Sequence, residues 1–186
     1  MPIEIEKKYR LTTADRRAIE QNLRKLGSRP KRLEIEENTI YRGGNLGFAQ
    51  RALRLRRVNG AAILTFKERI PTDSPIKHQK ESETHVADPE AVDAILRGIG
   101  FAPALIYEKR RTRWDVGKAK VVIDELPYGL FMEIEASEKD INRVEKLIDA
   151  ARLPAVVETY PAMTARLGKK NRQGIIAARF KTGARG

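Results

Sequence analysis

The feature that most constrains the fold is a segment at the start of the chain in which apolar and charged residues alternate. Residues 3–11 read Ile-Glu-Ile-Glu-Lys-Lys-Tyr-Arg-Leu. Successive side chains of a strand point to opposite faces, so one face carries Ile3, Ile5, Tyr9 and Leu11 and the other carries Glu4, Glu6, Lys8 and Arg10. Taken alone, this pattern is typical of a half-buried strand whose charged face meets water.

The same design recurs along the chain, and the repetition changes its interpretation. Later charged rows, each interleaved with apolar residues, contain Arg54 and Arg56, Lys67, Glu81 and Glu83, Lys109 and Arg111, Asp124, and Glu133 and Glu135. If these rows face one side, bases and acids converge inside a curled sheet, and helices cover its apolar outer side. Such an interior must be wet or filled by a charged ligand, because stripping water from an unpaired ion costs several kcal/mol. A polyphosphate held by Arg and Lys, with a divalent metal held by carboxylates, is the simplest ligand that needs both signs.

The first row carries a resemblance to a known family. Glu4-Ile5-Glu6-Lys7-Lys8 matches the Glu-x-Glu-x-Lys signature of the CYTH superfamily, also called triphosphate tunnel metalloenzymes, and the later rows follow in that family's order. The chain resembles a single-domain member from about Pro2 to Leu167. The resemblance implies an α+β fold, a closed or nearly closed antiparallel β-barrel (tunnel) of about eight strands with helices packed outside. One departure is Tyr41-Arg42, where the family usually follows the tyrosine with Phe-Asp.

The resemblance also implies roles for the charged rows. The metal ligands would be Glu4, Glu6, Glu133 and Glu135, whose hard oxygen donors suit Mg²⁺ or Mn²⁺. The triphosphate would be held by Lys8, Arg54, Arg56, Lys67, Lys109 and Arg111. Glu81, Glu83 and Asp124 would complete a second metal site or orient the attacking water.

Several residues near these rows are interpreted as lying outside the site. Glu34 and Glu36 alternate with apolar residues, and a solvated face is expected for them although the interior is also open to them. The cations Arg10, Arg113 and Lys120 match the motif less well. Core packing is expected for Tyr107 and Trp114, and packing also for the segment around Thr159-Tyr160, an imperfect echo of the family's late Ser-Tyr element.

Three helices are predicted from capping residues followed by apolar residues at helical spacing. The first starts at Thr12 or Thr13, and the second starts at Asp88-Pro89-Glu90. The third runs from Glu138 to Ala151 behind Ser137. All three are expected to cover the barrel from outside.

Composition limits the remaining options. The 186 residues include no cysteine, so thiolate chemistry, disulfides and cysteine zinc sites are excluded. No apolar run is long enough for a membrane span and no signal peptide is visible, so a cytoplasmic location is expected. The net charge is +12, but residues 168–186 hold six bases and no acid. We therefore expect one tunnel domain over 1–167 and a flexible basic tail over 168–186, the only part expected to contact nucleic acid.

Three functions fit these features. The first is metal-dependent hydrolysis of inorganic triphosphate or of an organic triphosphate such as thiamine triphosphate. The second is cyclisation of ATP to cyclic AMP, as in the class IV adenylate cyclases of the same superfamily. The third is a non-catalytic polyphosphate or RNA-binding module, which the basic tail favours and the many inward acids disfavour.

Overall fold

The alternating segments form strands, and the segments with helical spacing form helices. A computed structural model describes residues 3–44, 46 and 50–181. The strands in chain order are β1 (Ile3–Leu11), β2 (Glu34–Arg42), β3 (Arg51–Val58), β4 (Ala61–Ile70), β5 (Lys77–Val86), β6 (Ala102–Val116), β7 (Ala119–Leu126), β8 (Gly129–Glu135), β9 (Lys169–Lys170) and β10 (Ile176–Ala178). The helices are α1 (Thr13–Lys25), α2 (Pro89–Gly98), α3 (Glu138–Leu147) and α4 (Tyr160–Leu167).

Strands β1 to β8 form a closed antiparallel barrel. Their order is β2-β3-β4-β5-β1-β8-β7-β6, and β6 pairs again with β2 to complete the circle. The connection between β3 and β4 is a two-residue turn at Asn59-Gly60, where both residues have positive φ, as type I′ hairpins require. The predicted α+β barrel is confirmed.

The helices lie on the outer, apolar side of the barrel. Outward residues of β1, β6, β7 and β8 pack with buried residues of α1 and α3 in one cluster that includes Tyr9, Ile19, Trp114 and Val144. On the other side, Leu96 of α2 packs against outward residues of β3 and β4. Because the helices cover the apolar faces of the strands on the outside, the charged faces line the interior. None of the described helices is long and apolar enough to cross a membrane.

The predicted helix starts are confirmed. Thr12 and Asp15 form a capping box at α1, Asp88 caps α2, and Ser137 caps α3. Helix α3 ends at Leu147, earlier than the predicted Ala151, because Asp149 adopts a positive φ and the chain turns away.

One end of the barrel interior is apolar. Ile40, Leu105, Leu126 and Phe131 point inward there and pack with Tyr160 of α4. This cluster leaves the charged cavity to occupy the remainder of the interior.

The segment after Leu167 differs from the flexible tail that we expected. Strand β10 pairs in parallel with β6, and β9 pairs with β10. Ile175 and Ala178 are buried, and Arg179 forms ion pairs with Glu37 and Glu108. Burial of these apolar residues offsets the entropic cost of ordering the segment, which charge counting alone does not reveal. Residues 182–186 lie outside the described residues.

Candidate functional site

The charged rows meet inside the barrel around a large cavity. Its volume is about 1050 Å³. Twelve of the thirteen predicted site residues line it: Glu4, Glu6, Lys8, Arg54, Arg56, Lys67, Glu81, Glu83, Lys109, Arg111, Glu133 and Glu135. The remaining one, Asp124, is fully buried behind Arg111. The structure thus places the predicted residues around one space.

Three carboxylates on neighbouring strands form a group with metal-ligand spacing. Oxygen atoms of Glu4, Glu6 and Glu135 all lie within 4.8 Å of one another. Glu6 and Glu135 are direct partners across β1 and β8, so strand pairing itself brings them together. Burial raises the pKa of Glu135 to about 6, and neighbouring acids add to the rise against the opposing effect of Arg111. Three hard oxygen donors fit Mg²⁺ or Mn²⁺.

Lysine ammonium groups lie next to this carboxylate group. Lys67 Nζ lies 2.6 Å from Glu4 and 3.2 Å from Glu81, and Lys77 Nζ lies 3.2 Å from Glu6. Burial opposes ionisation of Glu4, but Lys67 and a hydrogen bond with Glu81 hold its pKa at about 2. Burial and the same hydrogen bond raise the pKa of Glu81 to about 7. The pair therefore holds one carboxylate and one group that titrates near neutral pH.

Glu133 belongs to a different cluster from the other predicted metal ligands. Its carboxylate lies 3.3 Å from Lys8 Nζ and accepts a 2.7 Å hydrogen bond from Arg111. Arg111 also donates two hydrogen bonds to Asp124, at 2.7 and 2.6 Å. Although burial opposes ionisation of Glu133, Lys8 and Arg111 hold its pKa far below the usual range. Glu133 and Asp124 thus form ion pairs with cations that line the cavity.

The arginines of β3 keep unused hydrogen-bond donors. Arg56 Nη2 donates to Glu83 at 3.1 Å, and Arg54 Nη2 donates to Thr65 at 3.3 Å. The Nε atoms of Arg54 and Arg56 are buried and have no hydrogen-bond partner among the described residues. Because Arg54 and Arg56 line the cavity, their guanidinium groups offer donors to an acceptor-rich ligand such as a phosphate group.

Glu36 faces the interior, contrary to our expectation of a solvated face. Its side chain is fully buried, 3.3 Å from Lys109 Nζ and 3.8 Å from an Arg56 nitrogen. Pairing of β2 with β6 places Glu36 opposite Lys109, so closure of the barrel turns this residue inward. Glu34, which pairs with Arg113, stays partly exposed.

Comparison with known proteins agrees with this geometry. The sequence model of the CYTH domain matches residues 2–156. The chain belongs to the CYTH family. Members of this family are enzymes that act on triphosphate substrates and in general depend on metal ions.

One relative in sequence and two solved structures illustrate what this CYTH protein is similar to. A Methanocaldococcus jannaschii protein named "putative adenylate cyclase" is 28% identical over 150 residues, which cover 79% of this chain and 84% of that protein. A Pyrococcus horikoshii structure superposes with a TM-score of 0.72 at 23% identity, covering 84% and 96% of the two chains. A Hippeastrum protein, described as a "putative adenylyl cyclase" that reveals a dominant triphosphatase activity, superposes with a TM-score of 0.68 at 17% identity, covering 88% and 95% of the two chains. The two structural likenesses show a shared fold.

The tunnel of this CYTH domain contains further residues that the sequence interpretation placed elsewhere. Lys77 is buried beside Glu6, and Arg113, Lys120 and Tyr107 all line the cavity. Along β6 and β7, Arg113 and Lys120 alternate in step with the predicted site residues. The sequence pattern was therefore sufficient to place them on the inward face. Lys77, the first residue of β5, was assigned no role from the sequence.

Tyr160 brings an aromatic ring into contact with the charged residues of the site. Its Oη donates a 2.9 Å hydrogen bond to Asp124, and Lys8 Nζ lies 3.8 Å from the centre of its ring. Thr159 caps the helix that begins at Tyr160. In the sequence, Thr159-Tyr160 resembled the family's late Ser-Tyr element, but we interpreted this segment as packing and not as part of the site.

Proposed function

We propose that this protein hydrolyses a triphosphate, either inorganic triphosphate or an organic triphosphate such as thiamine triphosphate, with the help of Mg²⁺ or Mn²⁺. The observation that carries the proposal is a cavity wall that holds both the carboxylates of Glu4, Glu6 and Glu135 and the predicted lysine and arginine side chains. Phosphoryl transfer requires mainly positioning and charge neutralisation, and this wall supplies both.

The metal-binding role falls to Glu4, Glu6 and Glu135. Their donor set is all oxygen, and their mutual spacing allows one ion to contact all three. When bound, a divalent ion supplies neutralisation of charge at phosphate oxygens. Glu133 forms ion pairs with Lys8 and Arg111, and in this proposal it holds these phosphate-binding cations in position.

The phosphate-binding role falls to Lys8, Arg54, Arg56, Lys67, Lys109 and Arg111. Arg54 and Arg56 line the cavity, and their guanidinium groups would donate to phosphate oxygens, which accept bidentately from such groups. The lysines act as point charges, and burial lowers the pKa of Lys8 to about 8. A bound triphosphate exchanges contacts with the carboxylates that pair with these cations in the ligand-free protein.

A carboxylate prepares the attacking water. Glu81 lies beside the metal-binding group, and its pKa of about 7 suits proton acceptance near neutral pH. The water oxygen attacks the terminal phosphorus as the bond to the bridging oxygen breaks, and the water proton passes to the carboxylate. Lysine and arginine side chains stabilise the charge that develops on the leaving diphosphate. Glu83, hydrogen-bonded to Arg56 and Thr65, orients that arginine.

A second candidate is cyclisation of ATP to cyclic AMP. The specific observation in its favour is the adenylate cyclase name of the Methanocaldococcus relative. The same cation and carboxylate groups would serve, with the ribose hydroxyl replacing water as the nucleophile. The triphosphatase activity reported for the Hippeastrum protein favours hydrolysis as the first candidate.

The test is an assay of phosphate release and cyclic AMP formation from inorganic triphosphate, thiamine triphosphate and ATP, with Mg²⁺, Mn²⁺ or chelator. We expect metal-dependent phosphate release that is lost in Glu6→Ala. Formation of cyclic AMP without release of phosphate would show that the protein is a cyclase and not a hydrolase. Binding of triphosphate without turnover of any substrate would favour a binding module.

A further inference from the structure

The chain beyond the matched CYTH range contributes a side chain to the charged site. The match ends at residue 156, and Tyr160 follows as the first residue of α4. Tyr160 is 6% exposed. Its hydroxyl contacts Asp124, and its ring lies against Lys8 and, at 5.4 Å from the centroid, against Lys109.

Contacts behind the ring hold it in place independently of any ligand. Tyr128 Oη donates a 3.2 Å hydrogen bond to the backbone oxygen of Tyr160. Phe131 packs edge-to-face on the ring, with centroids 5.5 Å apart. The pairing of β10 with β6 secures the chain that follows α4. The hydroxyl is therefore presented to Asp124 by a packed support.

The hydroxyl competes with two cations for one carboxylate oxygen. Asp124 Oδ2 accepts the hydrogen bond from Tyr160, accepts another at 2.6 Å from Arg111, and lies 3.5 Å from Lys109 Nζ. A carboxylate oxygen that already accepts a hydrogen bond attracts further donors less strongly. Tyr160 thus limits how closely Asp124 can draw the ammonium group of Lys109.

The ring has a comparable effect on Lys8. The ammonium group of Lys8 lies between Glu133 and the ring and donates to the backbone oxygen of Glu158 at 3.3 Å. An aromatic face attracts an ammonium ion more weakly than a second carboxylate would. It therefore keeps Lys8 in place without neutralising it.

We propose that Tyr160 is a positioning residue that keeps Lys8, Lys109 and Arg111 available to the phosphates of the ligand. The inference rests on the proposed function in that it takes a triphosphate as the ligand. The segment beyond the matched range is then a working part of the site. Tyr160 itself takes no part in bond making or breaking.

The test compares Tyr160→Phe, which removes only the hydroxyl, with Tyr160→Leu, which also removes the ring. Tyr128→Phe is the matched control, because among the described residues its hydroxyl hydrogen-bonds only the backbone oxygen of Tyr160 and the Thr164 hydroxyl, and the variant keeps the Phe131 contact and the β10 pairing that also hold Tyr160. Calorimetry in chelator measures the affinity for inorganic triphosphate, and kinetics with metal measure KM and kcat separately. Thermal denaturation reports the folding of each variant.

We expect Tyr160→Phe to weaken triphosphate binding and raise KM by about tenfold, since a hydrogen bond to a charged group is lost. Tyr160→Leu should weaken binding further, and Tyr128→Phe should leave binding within about twofold of the wild type. A merely structural role would lower kcat with the fraction of folded protein and leave KM unchanged. That result, or equal effects of Tyr160→Phe and Tyr128→Phe on affinity, would overturn the inference.

The binding measurement separates this inference from the proposed hydrolysis. If the wild type binds triphosphate without turning it over, hydrolysis fails as the function, and a selective loss of affinity in Tyr160→Phe still supports the inference. If the wild type does not bind triphosphate at all, both proposals fail.

Discussion

Lys109 and Glu36 form an ion pair across the seam at which the barrel closes. Nζ lies 3.3 Å from Oε2, and the two side chains are 2% and 0% exposed. Strands β2 and β6 are distant in sequence, and their pairing places the two residues directly opposite each other. The contact that closes the barrel is thus also a contact of the site.

Glu36→Gln should destabilise the protein by about 3 kcal/mol, because Lys109 and Arg56 lose a buried counter-charge and Lys109 keeps only the longer contact with Asp124. Glu37→Gln, on the outer face of the same strand, should cost less than about 1 kcal/mol. Urea unfolding measures both. Equal effects would mean that the barrel interior does not depend on this pair.

The cost of Glu36→Gln should depend on pH in a defined direction. Burial opposes ionisation of Glu36, but Lys109 and the neighbouring arginines hold its pKa well below the usual 4.5. An acid with a depressed pKa stabilises the fold above its unfolded pKa and loses this contribution as pH falls. The difference in unfolding free energy between the variant and the wild type should therefore shrink below about pH 4.5. A constant difference from pH 7 to pH 3 would contradict this assignment.

Arg56→Ala should lower kcat/KM for the triphosphate substrate by about 100-fold, since a preorganised donor to phosphate is lost. Arg57→Ala is the control, because Arg57 lies on the opposite face and pairs with exposed Glu90. Steady-state phosphate release measures both variants, and circular dichroism checks that they fold. Unchanged turnover in folded Arg56→Ala would remove Arg56 from the phosphate site.

Glu135→Gln should weaken Mn²⁺ binding by at least about tenfold, because one of three oxygen donors loses its charge. Glu125→Gln, whose side chain pairs with Arg110 on the outer face, should bind Mn²⁺ like the wild type. Electron paramagnetic resonance of free Mn²⁺ gives the affinities. Equal affinities for all three proteins would place the metal elsewhere.

Mn²⁺ affinity should fall as pH decreases from 7.5 to 5.5. Burial raises the pKa of Glu135 to about 6, so protons compete with the metal at a higher pH than for an ordinary glutamate. The same titration with Glu135→Gln should show a weaker dependence on pH. An affinity that stays constant over this range would exclude Glu135 as a ligand.

Truncation after Leu167 should lower the melting temperature by more than about 4 °C, because buried Ile175 and Ala178 and the ion pairs of Arg179 are lost. Arg172→Ala should have little effect, since Arg172 is exposed and has no ion pair among the described residues. Differential scanning calorimetry compares the three proteins. An unchanged melting temperature after truncation would support the flexible extension that charge alone suggested.

The sequence by itself determined the inward rows and the outer helices. Side-chain alternation is a local property, so residues such as Glu6, Arg56 and Lys67 could be assigned to one face without knowing which strands pair. The Asn59-Gly60 turn and the helix caps are equally local. Together with the Glu-x-Glu-x-Lys signature that begins at Glu4, these local features were sufficient to predict the family and the barrel fold.

Only the tertiary structure decided how these charges are partitioned. Glu135 joins Glu4 and Glu6 whereas Glu133 pairs with Lys8 and Arg111, a division that follows from the geometry of the closed wall. The inward position of Glu36 depends on the pairing of β2 with β6, and the role of Tyr160 depends on the docking of α4. Each of these contacts joins residues far apart in the chain, and side-chain alternation within a single strand carries no information about them.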